Sequence, residues 1–258
     1  MNKAFLISAT IAFILISVLA GLYDYFVYIV DINIGYRLIL KICPMMVLIF
    51  LSFTHLIISK ITLYSCGILF SLLMFTIADL FLAMYEPGPD NTTAYIIFGG
   101  SFFFVARLLL AVVFSIKPRD HVCLINYDYK TLIISHVVFS SPFIILSITN
   151  MIYFQTFISY LIGVYMILGF GLPLSYAYLR INNSELEESK SASIFAFVGV
   201  LLFNISDIFL FISMFTQLLP AYFIVISDNI YWLSMFLITI SMDRVLENYQ
   251  IFESLDPL

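Results

Sequence analysis

Charged side chains are scarce in this chain, with 11 Lys and Arg and 16 Asp and Glu among 258 residues. A soluble domain carries roughly a quarter of its residues as charges, so this one cannot clothe itself for water. The net charge of -5 resides mostly in short loops and describes small loop surfaces rather than a binding field, and nucleic acid is not a partner. Cysteine is nearly absent too. Cys43, Cys66 and Cys123 are odd in number, and two lie in apolar segments as small hydrophobes, so neither a disulfide nor a metal site is expected. The alternating pattern of barrel strands is also missing, which leaves helices as the only way to satisfy backbone amides in lipid.

Apolar sequence dominates instead: 63% of residues are hydrophobic and the mean hydropathy is +1.09. A hydrocarbon core of roughly 30 Å takes about 20 apolar residues per helix, and stretches of that length recur from end to end. The expected fold is all-α, a single polytopic domain over 1–258 with about eight transmembrane helices at 4–23, 37–58, 61–84, 94–116, 131–146, 153–179, 191–215 and 219–242. The first stretch is longer than a signal-peptide core and its removal would leave an odd number of spans, so it is read as a retained helix. With a cytoplasmic N-terminus, Lys3, Lys60, Lys117, Arg119, Lys130, Arg180, Lys190 and Arg244 all fall inside, which places both termini in the cytoplasm. The membrane would be the endoplasmic reticulum or another endomembrane in a eukaryote, and the inner membrane in a bacterium. Glu185, Glu187, Glu188, Glu247, Glu253 and Asp256 belong to solvated faces, and the Pro87–Asp90 turn lies outside.

One internal similarity stands out. Residues 71–82 align without gaps to 199–210, with six identities that include Asp79 and Asp207. These are the third and seventh helices, so the chain reads as two parallel four-helix repeats.

Buried carboxylates cost at least about 2.5 to 3.5 kcal/mol each in a transmembrane helix, so Asp79, Asp207 and Asp228 call for a partner or a function. By a rise of ~1.5 Å per residue all three lie in the exterior half, and Arg107 lies near the midplane within reach of them. Thr76 and Asn204 each precede an aspartate by three residues and share its face. Gly199 and Gly100 lie two turns before Asp207 and Arg107, where a small residue lets helices approach. A polar pocket lined by helices three, four, seven and eight follows, open toward the exterior. Arg107 could simply neutralise one aspartate, with the cluster serving packing. Three carboxylates against one guanidinium nevertheless leave excess charge, and two close aspartates cannot both ionise cheaply, so one would hold a proton. Asp228 could instead face water at a helix entrance. His55, His121 and His136 lie away from this cluster. Phe and Tyr, 27 and 17 in number, pack and face lipid, and would suit an acyl chain.

These residues resemble the lysoplasmalogenase (YhhN-like) family of eight-helix membrane proteins. Gly199-Val200-Leu201-Leu202-Phe203-Asn204-Ile205-Ser206-Asp207 is similar to the family's Gly-x-Leu-Leu-Phe-x-x-Ser-Asp. Ala78-Asp79 resembles its Gly-Asp, and Lys41-Ile42-Cys43-Pro44 its Lys-Pro-x-Pro. Ala106-Arg107-Leu108 stands where the family more often has Ala-His-Leu, and Tyr231-Trp232 where Tyr-Tyr is common, which marks a divergent member. The likeness runs from about Lys41 to Met242. It implies hydrolysis of the vinyl-ether bond of lysoplasmalogens to a fatty aldehyde and a glycerophospho-base, with Asp79 and Asp207 catalytic. No metal or organic cofactor would be needed. The partners would be the lysophospholipid substrate and membrane lipids.

The chemistry of the residues agrees with that implication. A vinyl ether opens by protonation at its β-carbon, which one carboxylic acid supplies while an ionised partner stabilises the resulting cation. Arg107 or Lys41 would meet the phosphate, with Asn204 and Asp228 also lining the substrate site. Two other readings stay open: a proton- or cation-coupled small-molecule transporter, and an inactive lipid-binding paralogue.

Overall fold

A computed structural model of the chain describes residues 3–26, 34–58, 61–84, 92–116, 129–154, 160, 163–182, 187–212 and 222–255. Eight α-helices account for nearly all of them: α1 Lys3–Tyr25, α2 Ile34–Ile58, α3 Leu63–Ala83, α4 Thr92–Ser115, α5 Tyr129–Phe154, α6 Gly171–Asn182, α7 Glu187–Phe211 and α8 Tyr222–Leu255. Strands are absent among the described residues. In six of the helices an apolar run is long enough to cross a membrane, and α1 adds a shorter one, Ile7–Tyr23. The chain is therefore an all-α, multi-pass integral membrane protein.

Both faces of these helices are largely apolar, so small residues as well as polar ones mark the face that packs inward. In α1 the buried residues Ala9, Ala12, Ile16, Ala20 and Tyr23 recur at three- and four-residue spacing, a mostly small stripe that lies against the bundle. Ile11, Ile14, Leu15 and Val18 point outward. On α2 the exposed side chains Phe50, Phe53 and Ile57 form the corresponding lipid face, with Phe50 72% exposed. A water-soluble protein could not tolerate such a surface.

Neighbours in sequence pack as neighbours in space from α1 to α4; α6 packs against α4, α5 and α7, and α8 runs along α7 while touching α1, α2 and α3. The α7–α8 contact is close because Gly199 lacks a side chain. A Cβ there would come within 2.7 Å of Ile238 Cγ1 and 3.0 Å of the Ser234 carbonyl oxygen. Gly100 does not act in the same way, since it faces open space. The close approach expected there falls one residue earlier, at Gly99, against the Leu82 side chain and the Ala78 carbonyl. We expect Gly199→Ala to cost about 1–3 kcal/mol by overpacking, and Gly100→Ala to be neutral or slightly stabilising. Thermal unfolding of the two variants in detergent checks this contrast.

The fifth and sixth helices also differ from expectation. Residues 147–152 carry Ser147, Thr149 and Asn150, and their polarity suggests an interruption between spans at 131–146 and 153–179. Instead α5 continues to Phe154. Its hydroxyls are satisfied inside the helix, Ser147 Oγ donating to the Phe143 carbonyl at 2.6 Å and Thr149 Oγ1 to that of Ile145 at 2.9 Å. Within the sixth span, helical Gly163 and Val164 lead into a π-helical turn, Tyr165–Phe170, that runs directly into α6. Pro173 accounts for part of this irregularity: it has no N–H to donate to the carbonyl of Gly169, four residues back. The expected Pro87–Asp90 turn, His121, Cys123 and the loop lysines and arginines at 60, 117 and 119 lie outside the described residues.

Candidate functional site

Four helix ends converge on one side of the bundle. Asp79 and Asp207 lie near the C-terminal ends of α3 and α7, and Lys41 and Asp228 near the N-terminal ends of α2 and α8. Arg107 reaches in from the middle of α4 and is completely buried. Its Nη2 donates to Asp207 Oδ2 at 2.6 Å, forming an ion pair, and its Nη1 donates to Asn204 Oδ1 at 2.6 Å and to the Gly169 carbonyl at 3.3 Å. The last bond uses the carbonyl that Pro173 leaves without its helical donor. Glycine at 169 eases the approach, since a Cβ would sit 3.3 Å from Arg107 Cδ and 3.4 Å from the Tyr165 ring, close enough that these side chains would have to give way slightly.

Aromatic rings enclose the guanidinium. Its carbon lies 3.7 Å from the centroid of Phe203 and 4.3 Å from that of Phe170. Tyr165 donates its phenolic hydrogen to the same Asp207 oxygen at 2.9 Å. Asn204 is spent at both ends: its oxygen accepts from Arg107, and its Nδ2 donates to the Phe170 carbonyl at 3.3 Å. Arg107 and Asn204 thus hold Asp207 and the π-helical turn in place. This changes the reading of Arg107: rather than reaching for a phosphate, its guanidinium is committed to protein acceptors.

Asp79 has a different environment. It is buried, its Oδ2 accepts from the Tyr231 hydroxyl at 2.8 Å, and no cation among the described residues forms a salt bridge with it. It lies within electrostatic reach of Lys41, Asp228 and Asp207. Rings connect the two aspartates: Tyr231 packs 5.4 Å from Phe203, which is the ring beneath Arg107. Phe75 and Phe203, which correspond in the alignment of 71–82 to 199–210, meet edge to face at 5.0 Å.

A second ion pair adjoins the first group. Lys41 Nζ lies 3.5 Å from Asp228 Oδ1, and both side chains are largely buried. Asp228 is therefore not at a water-facing helix entrance. Its register is set by reciprocal hydrogen bonds between α7 and α8: Ser206 Oγ donates to the Ser227 carbonyl at 2.9 Å and Ser227 Oγ to the Ser206 carbonyl at 2.8 Å. Each serine directly precedes one of the aspartates, so locking the serines orients both carboxylates.

Of the expected residues, Asp207, Arg107 and Asn204 come into direct contact, Lys41 and Asp228 form their own pair, and Asp79 lies within electrostatic reach of Asp207, Lys41 and Asp228 without a hydrogen bond or ion pair to any of them. Sequence reasoning missed Tyr165 and the phenol of Tyr231 as carboxylate donors. The available signals were the Gly169-Phe170-Gly171-Leu172-Pro173 interruption in the sixth span and the second Ser-Asp pair, Ser227-Asp228. At the far end of the bundle Arg180, expected at a cytoplasmic loop, is buried over the Tyr64 ring, 4.2 Å from its centroid, and donates to the Ile116 carbonyl at 3.1 Å. Among the described residues no group of His, Cys, Asp and Glu has the arrangement of a metal site.

No curated protein and no solved structure matches the chain. Residues 36–242, which carry every residue of both ion pairs and both tyrosine donors, match the YhhN family, and the chain belongs to that family.

Proposed function

We propose that the protein is a membrane hydrolase that cleaves the vinyl-ether bond of lysoplasmalogens, releasing a fatty aldehyde and a glycerophospho-base. The observation that carries this reading is the unequal environment of two neighbouring carboxyls, Asp79 buried and Asp207 partly buried. Asp207 is ion-paired with Arg107, whereas Asp79 accepts a hydrogen bond from the Tyr231 phenol and has no ion pair among the described residues, so we assign the anion to Asp207 and the transferable proton to Asp79. Asp79 gives that proton to the β-carbon of the vinyl ether. The carboxylate of Asp207 stabilises the oxocarbenium ion and orients a water. Water adds to the α-carbon and returns a proton to Asp79; the hemiacetal then collapses to aldehyde and alcohol. We assign the phosphate to Lys41, whose ion pair with Asp228 is 3.5 Å long, rather than to Arg107, whose guanidinium donates to three protein acceptors. The lysine and arginine bias puts both termini in the cytoplasm and this end of the bundle on the exterior side.

Purified protein is expected to release aldehyde from a lysoplasmalogen and none from the matched ester lysolipid. Failure to release aldehyde in any lipid environment would overturn the hydrolase reading. One observation supports a proton- or cation-coupled transporter as the second reading: with Arg180 over Tyr64, buried polar groups occur at both ends of the bundle. Substrate-dependent proton movement in sealed vesicles, without aldehyde, would establish that alternative.

A further inference from the structure

On α8, two buried polar atoms have no hydrogen-bond partner: the acceptor Asp228 Oδ2 and the donor Trp232 Nε1. They are one helical turn apart, so both side chains leave the same face. The other carboxylate oxygen of Asp228 faces Lys41 at 3.5 Å. Tyr23, from α1, backs the group: its ring meets Trp232 edge to face at 5.7 Å and has Lys41 Nζ 6.0 Å from its centroid. An unpaired buried donor and an unpaired buried acceptor each carry a desolvation cost that a ligand can relieve. A hydroxyl, whether of water or of an alcohol, suits both, since it accepts from an N–H and donates to a carboxylate.

We propose that Asp228 and Trp232 form a hydroxyl-binding subsite that takes the free sn-2 hydroxyl of a lysolipid. The identity of the ligand rests on the hydrolase reading above, and glycerol chemistry supports the match. The sn-2 hydroxyl is one carbon from the sn-1 ether and one from the sn-3 phosphate ester. A subsite for it must therefore adjoin both the proton donor and the phosphate cation. Asp228 is within electrostatic reach of Asp79 and pairs with Lys41. A second acyl chain at sn-2 would replace the donating hydrogen with bulk at a buried carboxylate, so the subsite would select lysolipids over their diacyl counterparts.

Trp232 is the chain's single tryptophan, so its emission reports on this position alone. The probe is a 1-O-alkyl lysophosphoethanolamine, a saturated ether that cannot be hydrolysed by this chemistry, titrated against the whole protein in nanodiscs beside its 2-O-methyl derivative. The hydroxyl ligand is expected to change the emission saturably and to bind at least ~10-fold more tightly than the methyl ether. Trp232→Phe keeps a ring against Tyr23 and removes the donor. Equilibrium binding of tritiated ligands to this variant is expected to bring the two affinities within about threefold of each other. Equal affinities for wild type, or no saturable change, overturn the subsite. If aldehyde is released but the affinities are equal, only this inference fails; if the hydroxyl preference is present but aldehyde is not, the hydrolase reading fails and the subsite stands.

Discussion

Asp207→Asn and Asp79→Asn are each expected to lower vinyl-ether hydrolysis by a factor of at least ~10², measured as aldehyde release per mole of folded protein. Asparagine preserves shape and hydrogen bonding, yet it neither donates a carboxylic proton nor stabilises a cation by charge. The double variant should be little worse than either single one, because groups that act as a unit are not additive. Stability separates the two. Asp79→Asn removes a buried carboxyl that has no salt-bridge partner, so the unfolding temperature should hold or rise. Asp207→Asn leaves the Arg107 guanidinium without its anion inside the bundle, so the unfolding temperature should fall. Wild-type rates in both single variants would exclude the paired-acid mechanism.

Replacing Arg107 itself is expected to have the largest effect on stability. Arg107→Met keeps an apolar stem among Phe170 and Phe203 but withdraws the hydrogen bonds to Asp207, Asn204 and the Gly169 carbonyl. Loss of one partner of a buried ion pair costs about 3–5 kcal/mol, and here a backbone carbonyl is stranded as well. Activity should fall with it, since the π-helical turn and Tyr165 lose the group that ties them to Asp207. The informative comparison is Arg107→Met combined with Asp207→Leu, an apolar substitute for the pair. That combination should recover much of the stability and none of the activity. A double variant no more stable than Arg107→Met alone would show that the ion pair is not the source of the loss.

Much of the site was readable from the chain because the membrane makes polarity expensive. Asp79, Asp207, Arg107 and Asn204 stand out in apolar helices, where a charge is tolerated only when it faces the bundle interior, and the 71–82 to 199–210 likeness already paired two of them. Tyr165 and Tyr231 did not stand out. They are two of 17 tyrosines, and a phenol is as acceptable at a lipid headgroup as beside a carboxylate, so its role depends on what lies opposite. The boundary between α5 and α6 was obscured for a related reason: serine and threonine resemble loop residues in composition, but inside a helix their hydroxyls bond the carbonyls of the preceding turn.

The amino-acid sequence by itself determined the all-helical class, the membrane environment, the family and the acidic residues, since each follows from composition, run length or a local motif. Only the tertiary structure decided which cation serves which carboxylate. Lys41 meets Asp228 because α2 lies beside α8, and Arg107 meets Asp207 because α4 packs on the turn before α6, so that Arg107 from the one and Tyr165 from the other reach α7 with their side chains. Such pairings join residues far apart in the chain and depend on helix rotation, where a shift of one residue turns a side chain by about 100°. That rotation is why Gly99 rather than Gly100 meets α3, and why two of the three aspartates received an ion-pair partner while Asp79 did not.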